Sequence, residues 1–312
     1  MHPAASVILF TTSTGFGYGL LCWLSITLNL SETGQLPTPY ILTLITIALL
    51  LITFGLLASL WHLGHPERAW RALSQWRTSW LSREGVFAVL VYPPALLMGF
   101  ASYLQWTEFL PLLSIMVAIL SLITIYCTAM IYASLKTIPA WHNLWTISGY
   151  LLYSFSTGGV LCYFLAMLLY PESFPSGSPQ LYLLIGFILL ALSNKIIYWK
   201  YIQRTSNSTT KETAIGIKGN ISPLDPPHSS ANYLMKEMGF QIARKQAHIL
   251  TPIAVLATYI IPCICLLIAS FSSLQVMIIL LSTIALVSCV IGIIAERYLF
   301  FAEAKHVVTL YY

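Results

Sequence analysis

A chain of 312 residues that is 58% hydrophobic and 8% charged, with a mean hydropathy of +0.79, is composed for lipid, since soluble domains run at about 45–50% apolar and about 25% charged. Apolar runs recur to the end of the sequence with little polar sequence between them, which excludes a separate soluble catalytic domain. The net charge of +5 suits anionic headgroups or an acidic partner, and no nucleic-acid-binding module accompanies it.

The first apolar run follows Met1-His2-Pro3, which lacks the basic n-region of a secretory signal, so it is expected to remain as a helix. Runs of roughly twenty apolar residues cross about 30 Å of hydrocarbon. They are expected over about 6–30, 40–62, 86–105, 110–135, 146–170, 181–201, 249–271 and 274–301. The fold class is therefore an all-α integral membrane protein, one polytopic domain over 1–312 with eight transmembrane helices, short interfacial helices and both termini on one side. The six cysteines, Cys22, Cys127, Cys162, Cys263, Cys265 and Cys289, lie inside apolar runs without Cys-x-x-Cys spacing. Neither a disulfide nor a zinc or iron–sulfur centre is expected from them.

Charge fixes the orientation. The turns Ser31 to Pro39, Gln105 to Glu108 and Pro171 to Pro179, which join odd spans to even ones, carry Glu32, Glu108 and Glu172 but no Lys or Arg. All 15 Lys and Arg residues fall in the even-to-odd loops, at the helix ends feeding them, Lys195 included, or after the last span. Basic loops are retained in the cytoplasm, which places both termini there and the protein in a bacterial cytoplasmic (inner) membrane. The long polar stretch from about 203 to 247 reads as a cytoplasmic loop. Late in it, Met235, Met238 and Ile242 recur at the spacing of an amphipathic membrane-surface helix.

The densest polar cluster follows the second span: Trp61-His62-Leu63-Gly64-His65-Pro66-Glu67-Arg68-Ala69-Trp70-Arg71, then Trp76-Arg77, Trp80 and Leu81-Ser82-Arg83-Glu84-Gly85. Pro66 disfavours a helical conformation at His65, and Gly64 suits a helix end, so His65 falls at the interface. Beyond it, Trp70, Leu73, Trp76 and Trp80 recur near helical spacing, as in a short surface helix on which Glu67 and Arg71 pair at i, i+4. Ser82 reads as the N-cap of the third span, with Glu84 in its first turn.

Interfacial anchoring accounts for the tryptophans, and positive-inside statistics account for the arginines taken singly. Neither explains why His65, Arg68, Arg71, Arg83 and Glu84 gather at one hydrocarbon boundary, where polar side chains are costly without partners. A quinone does, because its redox chemistry moves protons to and from two carbonyl oxygens, a task for histidine and a partly buried carboxylate. Haem would require axial histidines inside the bundle. His2, His62, His65, His142, His228, His248 and His306 all map to loops or helix ends, so neither haem nor a metal is expected in this chain. His62, His142 and His248 are read as interfacial histidines rather than ligands. Glu296, beside Arg297, and Glu303 seven residues on share a helical face and read as a proton route or as partners of a loop arginine. A polytopic transporter is the alternative from another class, opposed by charges that stay near the membrane edge.

The stretches Leu63-Gly64-His65-Pro66-Glu67-Arg68-Ala69-Trp70 and Leu81-Ser82-Arg83-Glu84 resemble the dimethyl sulfoxide reductase membrane-anchor family. Leu234 to Lys245 and Glu296 to Val308 are similar to that family's sulfite-oxidising branch, the membrane anchors of cytoplasmic sulfite dehydrogenase (quinone). The resemblance implies a three-subunit enzyme: a molybdopterin catalytic subunit, a four-cluster iron–sulfur electron-transfer subunit, and this anchor exchanging electrons with ubiquinone or menaquinone. It also implies quinol binding at the histidine of Gly-His-Pro and at the acidic residue opening the third helix, His65 and Glu84 here. The cytoplasmic side assigned to the basic loops fits sulfite-oxidising relatives better than a dimethyl sulfoxide reductase oxidising quinol, whose catalytic subunits are periplasmic. The expected chain is thus a quinone-reactive subunit with no catalytic centre of its own. His65 and Glu84 handle protons, while Arg68, Arg71 and Arg83 hold quinone oxygens or an acidic partner surface.

Overall fold

The computed structural model describes residues 5–30, 36–61, 65–175, 177–206 and 247–307, together with residues 212, 216, 219 and 221. His62, His228 and the amphipathic pattern of Met235, Met238 and Ile242 lie outside the described residues.

Every regular element among the described residues is helical: α1 (Ala5–Leu30), α2 (Thr38–Leu60), α3 (Trp80–Leu90), α4 (Tyr92–Tyr103), α5 (Leu110–Ala133), α6 (Leu144–Leu169), α7 (Pro179–Ser206), α8 (Ala247–Val255), α9 (Ile261–Phe271) and α10 (Gln275–Ala302). Helices α3 and α4 form one span, parted only at Val91, whose backbone stays helical, just ahead of Pro93 and Pro94, which have no N–H to continue the ladder. Helices α8 and α9 form another, joined by a π-helical turn at Leu256–Ile260. Among the described residues, eight helical spans are long and apolar enough to cross a membrane. Helices satisfy their own backbone groups, as hydrocarbon demands.

Helix α1 is the axis of the bundle, packing against α2, α5, α6 and α10. Its apolar window is 78% buried and that of α6 is 72%, against 33–44% for the other spans, so these two are central and the rest face lipid. Their contact is glycine on glycine: a Cβ on Gly19 would stand 1.8 Å from the Ser154 carbonyl oxygen, and one on Gly158 would stand 2.2 Å from Gly19 carbon. Trp23 then donates to the Phe155 carbonyl at 2.7 Å, tying the pair where they touch. On the lipid side, Leu50, Leu57, Leu190 and Val287 remain exposed, the ordinary state of an apolar side chain facing hydrocarbon.

The third span begins at Trp80 rather than near residue 86. Ser79, not Ser82, is its cap: Ser79 has extended backbone and its Oγ accepts from the Ser82 amide at 3.4 Å. Ser82 is therefore buried within the helix, and Glu84 stands beyond the first turn, facing the interior instead of capping. The preceding connector, Pro66–Gln75, winds as a 3-10 helix. In that winding residues i and i+3 eclipse, so Glu67 pairs with neighbouring His65 at 3.0 Å and Arg68 at 3.7 Å rather than with Arg71.

Candidate functional site

The outer part of the site is the connector. His65, Arg68 and Arg71 lie on its exposed face. Arg71, Arg77 and Arg83 stack over Trp70, Trp76 and Trp80, with guanidinium carbons 5.6, 5.8 and 4.2 Å from the ring centres. Cation and aromatic face together suit a headgroup layer. Arg83 is also the tie that folds the connector back onto α3, donating from Nε to the Trp76 carbonyl at 3.0 Å and from Nη2 to that of Arg77 at 2.7 Å. Leu73 closes onto α3 where Gly85 leaves room, only 2.8 Å from where a Cβ would stand.

Glu84 is the inner part. It is 4% exposed, and Thr128 of α5 donates a hydrogen bond to its Oε1. Thr128 Oγ1 also lies 3.1 Å from the Thr124 carbonyl. A hydroxyl has one proton and two lone pairs, so the pair serves both states of the acid. Ionised Glu84 accepts from Thr128; protonated Glu84 donates to the Thr128 oxygen, whose own O–H then donates to the Thr124 carbonyl. No Lys, Arg or His forms an ion pair with Glu84 among the described residues, and none joins it directly to His65, Arg68 or Arg71. A carboxyl enclosed without a cation is costly to keep charged, and such groups inside a membrane mark functional positions.

A second buried cluster lies toward the same end of the bundle, and it corrects the expectation that charge stays near the membrane edge. Lys195 Nζ stands 2.6 Å from Glu296 Oε1, and Arg297 Nε 2.9 Å from Glu296 Oε2, with all three side chains at most 3% exposed. Lys195 sits nine residues before Arg204 closes its span, about 13 Å along the helix at about 1.5 Å per residue. Aromatic faces enclose both cations: Arg297 lies 4.2 Å from the Tyr150 ring centre and 4.7 Å from Tyr153, and Lys195 4.5 Å from Tyr198. The π-helical turn presents Tyr259, whose hydroxyl donates to that of Tyr153 at 2.7 Å. It fits because Gly292 of α10 passes directly over the turn, 2.4 Å from the Thr258 amide to where a Cβ would be.

Glu296 was legible as an acid near the end of the last span, on a proton route or paired with a loop arginine; its burial and its partner Lys195, which is no loop residue, were not. The available signal was Asn194-Lys195 standing well inside the apolar run of α7. His142 is held by the Ala133 carbonyl 2.5 Å from its Nδ1, as an interfacial histidine with a local partner. Among the described residues, no group of His, Cys, Asp and Glu has the arrangement of a metal site.

Comparison with known proteins gives a consistent result. The profile of the DMSO reductase anchor subunit (DmsC) matches residues 1–302. The C subunit of sulfite dehydrogenase from Allochromatium vinosum is 31% identical, in an alignment spanning 100% of this sequence and 99% of that one. The C subunit of anaerobic dimethyl sulfoxide reductase from Escherichia coli is 30% identical over 122 residues, 38% of this sequence and 42% of its own. Matched from end to end by one relative and over residues 1–302 by the family profile, this protein belongs to the DMSO reductase anchor subunit family.

Proposed function

We propose that this protein is the quinone-reactive anchor of a molybdopterin oxidoreductase, passing electrons from sulfite oxidation through a four-cluster iron–sulfur partner to ubiquinone or menaquinone. The observation that carries the quinone reading is Glu84, an enclosed carboxyl with a partner for each protonation state, one helix start away from the exposed His65 and its arginines. Sulfite is favoured over dimethyl sulfoxide because similarity to the sulfite dehydrogenase relative extends over 100% of this sequence, against 38% for the other relative.

In this reading quinone is a substrate, reduced by two electrons arriving from the partner and two protons supplied by this anchor. Glu84 gives a proton to one quinone oxygen and His65 serves the other. Arg68 and Arg71, exposed on the connector, orient the headgroup or receive the acidic face of the iron–sulfur subunit. Arg83, whose donors are held by backbone carbonyls, fixes the connector against α3. The molybdopterin and iron–sulfur subunits dock on the basic end, and the positive-inside rule puts that end, with both termini, in the cytoplasm of a bacterium.

The test is sulfite oxidation by membranes carrying the whole complex, with quinone or an artificial electron acceptor, at equal assembly. General acid–base groups contribute typically about 10²–10⁴-fold, so Glu84→Gln is expected to lower quinone reduction by about 10²-fold with the artificial-acceptor rate intact. His65→Ala is expected to lower it in the same way. Unchanged quinone reduction in both variants overturns the reading.

A further inference from the structure

The quinone reading of Glu84 raises a question of supply: an acid 4% exposed must regain its proton after each transfer. The second buried cluster is either a second ligand pocket or part of the path by which that proton returns.

Size decides against a ligand. The space bounded by Tyr150, Tyr153, Asn194, Lys195, Glu296 and Arg297 admits a single water-sized molecule and no more. A quinone ring does not enter it. A water does, and it would find partners: Tyr150 and Arg297 both line the space, the guanidinium lies 4.2 Å from the Tyr150 ring centre, and the Tyr150 hydroxyl and Arg297 Nη1 are buried with neither completing a hydrogen bond.

From that point the polar groups continue toward Glu84. Tyr150 stacks on Tyr132 of α5, with ring centres 5.7 Å apart and planes within 14°. Tyr132 lies one helical turn from Thr128 on the same face of α5, and Thr128 is the hydrogen-bond donor to Glu84. In the other direction Glu296 shares its Oε1 with Lys195. Glu303 follows two turns along the α10 face, where the helix ends.

We propose that Glu303, Lys195, Glu296, Tyr150, Tyr132 and Thr128 form a file that carries protons from water to Glu84. Arg297 stays charged throughout, since a guanidinium does not release its proton in proteins. Its part is to hold Glu296 and the bridging water in place, which makes it a positioning residue. The balance closes without a further reactant: quinone takes two electrons from the partner's clusters and two protons, and each proton leaving Glu84 is replaced along the file by one entering from water at Glu303.

The competing account is that the cluster only fastens α6, α7 and α10 together. Tyr150→Phe separates the two, because it keeps the ring over which Arg297 lies and the stack with Tyr132, and removes only the hydroxyl. The complete complex carrying Tyr150→Phe is compared with wild type and with Glu296→Gln. Expected for Tyr150→Phe are an unchanged melting temperature, binding of short-chain ubiquinone within about twofold, and an unchanged artificial-acceptor rate. Quinone-dependent turnover is expected to fall at least about tenfold, with recovery on adding formate as a small diffusible proton carrier. Glu296→Gln, where it assembles, is expected to give the same kinetic pattern.

Quinone turnover within about twofold of wild type in Tyr150→Phe overturns the proposal, as does a loss that formate does not repair. If Glu84→Gln abolishes quinone reduction while Tyr150→Phe is harmless, the file alone falls. If Glu84→Gln is harmless as well, the quinone reading falls with it.

Discussion

Lys195 and Glu296, 101 residues apart in sequence, meet at 2.6 Å inside the bundle and join α7 to α10. With Arg297 they form a buried group of two cations and one anion, so its members are not equivalent. Breaking a buried pair by removing one partner typically costs about 3–5 kcal/mol because the other charge is stranded. Lys195→Met leaves Glu296 paired with Arg297, whereas Glu296→Gln leaves two cations facing each other. Glu296→Gln is therefore expected to lower the melting temperature of the purified protein more than Lys195→Met, and the reverse order would refute this account of the cluster.

The crossing of α1 and α6 predicts a sharp contrast among glycines. In Gly19→Ala and Gly158→Ala the new methyl meets backbone at 1.8 and 2.2 Å, which cannot move aside as a side chain can. Overpacking costs typically about 1–3 kcal/mol, and a backbone collision belongs at or beyond the upper end. Both variants should fail to accumulate in membranes. Gly186→Ala, with nothing within 4 Å, should accumulate like wild type.

Thr128→Val removes the hydroxyl from Glu84 at almost constant volume. An unsatisfied buried partner costs about 1–3 kcal/mol, and the carboxyl also loses the contact through which the proposed file would reach it. Thermal stability and quinone-dependent turnover are both expected to drop in Thr128→Val, and Thr128→Ser is expected to restore them. Equal activity in the valine and serine variants would remove Thr128 from the site.

Glu303, just past the end of α10, gives a pH signature. Burial pushes its carboxyl above the ordinary carboxylate value, with Lys195 and the Trp199 indole pulling the other way and Glu296 adding to the rise. A raised value means that the folded state favours the protonated acid. The contribution is fully present below the unfolded value and is lost as pH climbs through the folded one. Glu303→Gln fixes the neutral form, so melting curves should coincide with wild type in acid and lie above it once pH has passed the raised value. Curves that instead diverge in acid and merge at higher pH would contradict this sign.

The spans were legible because hydrocarbon imposes a minimum length on every apolar run, and the connector was legible because Pro66 has only a few conformations open to it. The start of α3 was not. Trp80 reads as the last residue of the surface helix and Ser82 as the cap of the next, yet Arg83 folds over Trp80 and binds two carbonyls, so these residues become the first turn of a span. Glu84 could be singled out as a partly buried acid at a helix start, but not its partner, Thr128, lying 44 residues away. Lys195 was misplaced for the same reason: sequence shows that a charge interrupts an apolar run, while only the packed bundle shows Glu296 waiting opposite it.

Helix α3 starts, and α10 stops, at one end of the bundle, and the segment after α10 is tied to the segment after α5 by the Val307 amide bonding the Thr137 carbonyl at 3.0 Å. Glu84 and Glu303 thus lie on one side of the bilayer's midplane. Moving one elementary charge across the full membrane is worth about 2.3 kcal/mol per 100 mV. On the proposed file, a proton entering at Glu303 and consumed at Glu84 would travel sideways within a single leaflet and cross almost none of that field. Proton uptake by the proposed route would neither build a transmembrane voltage nor be slowed by one.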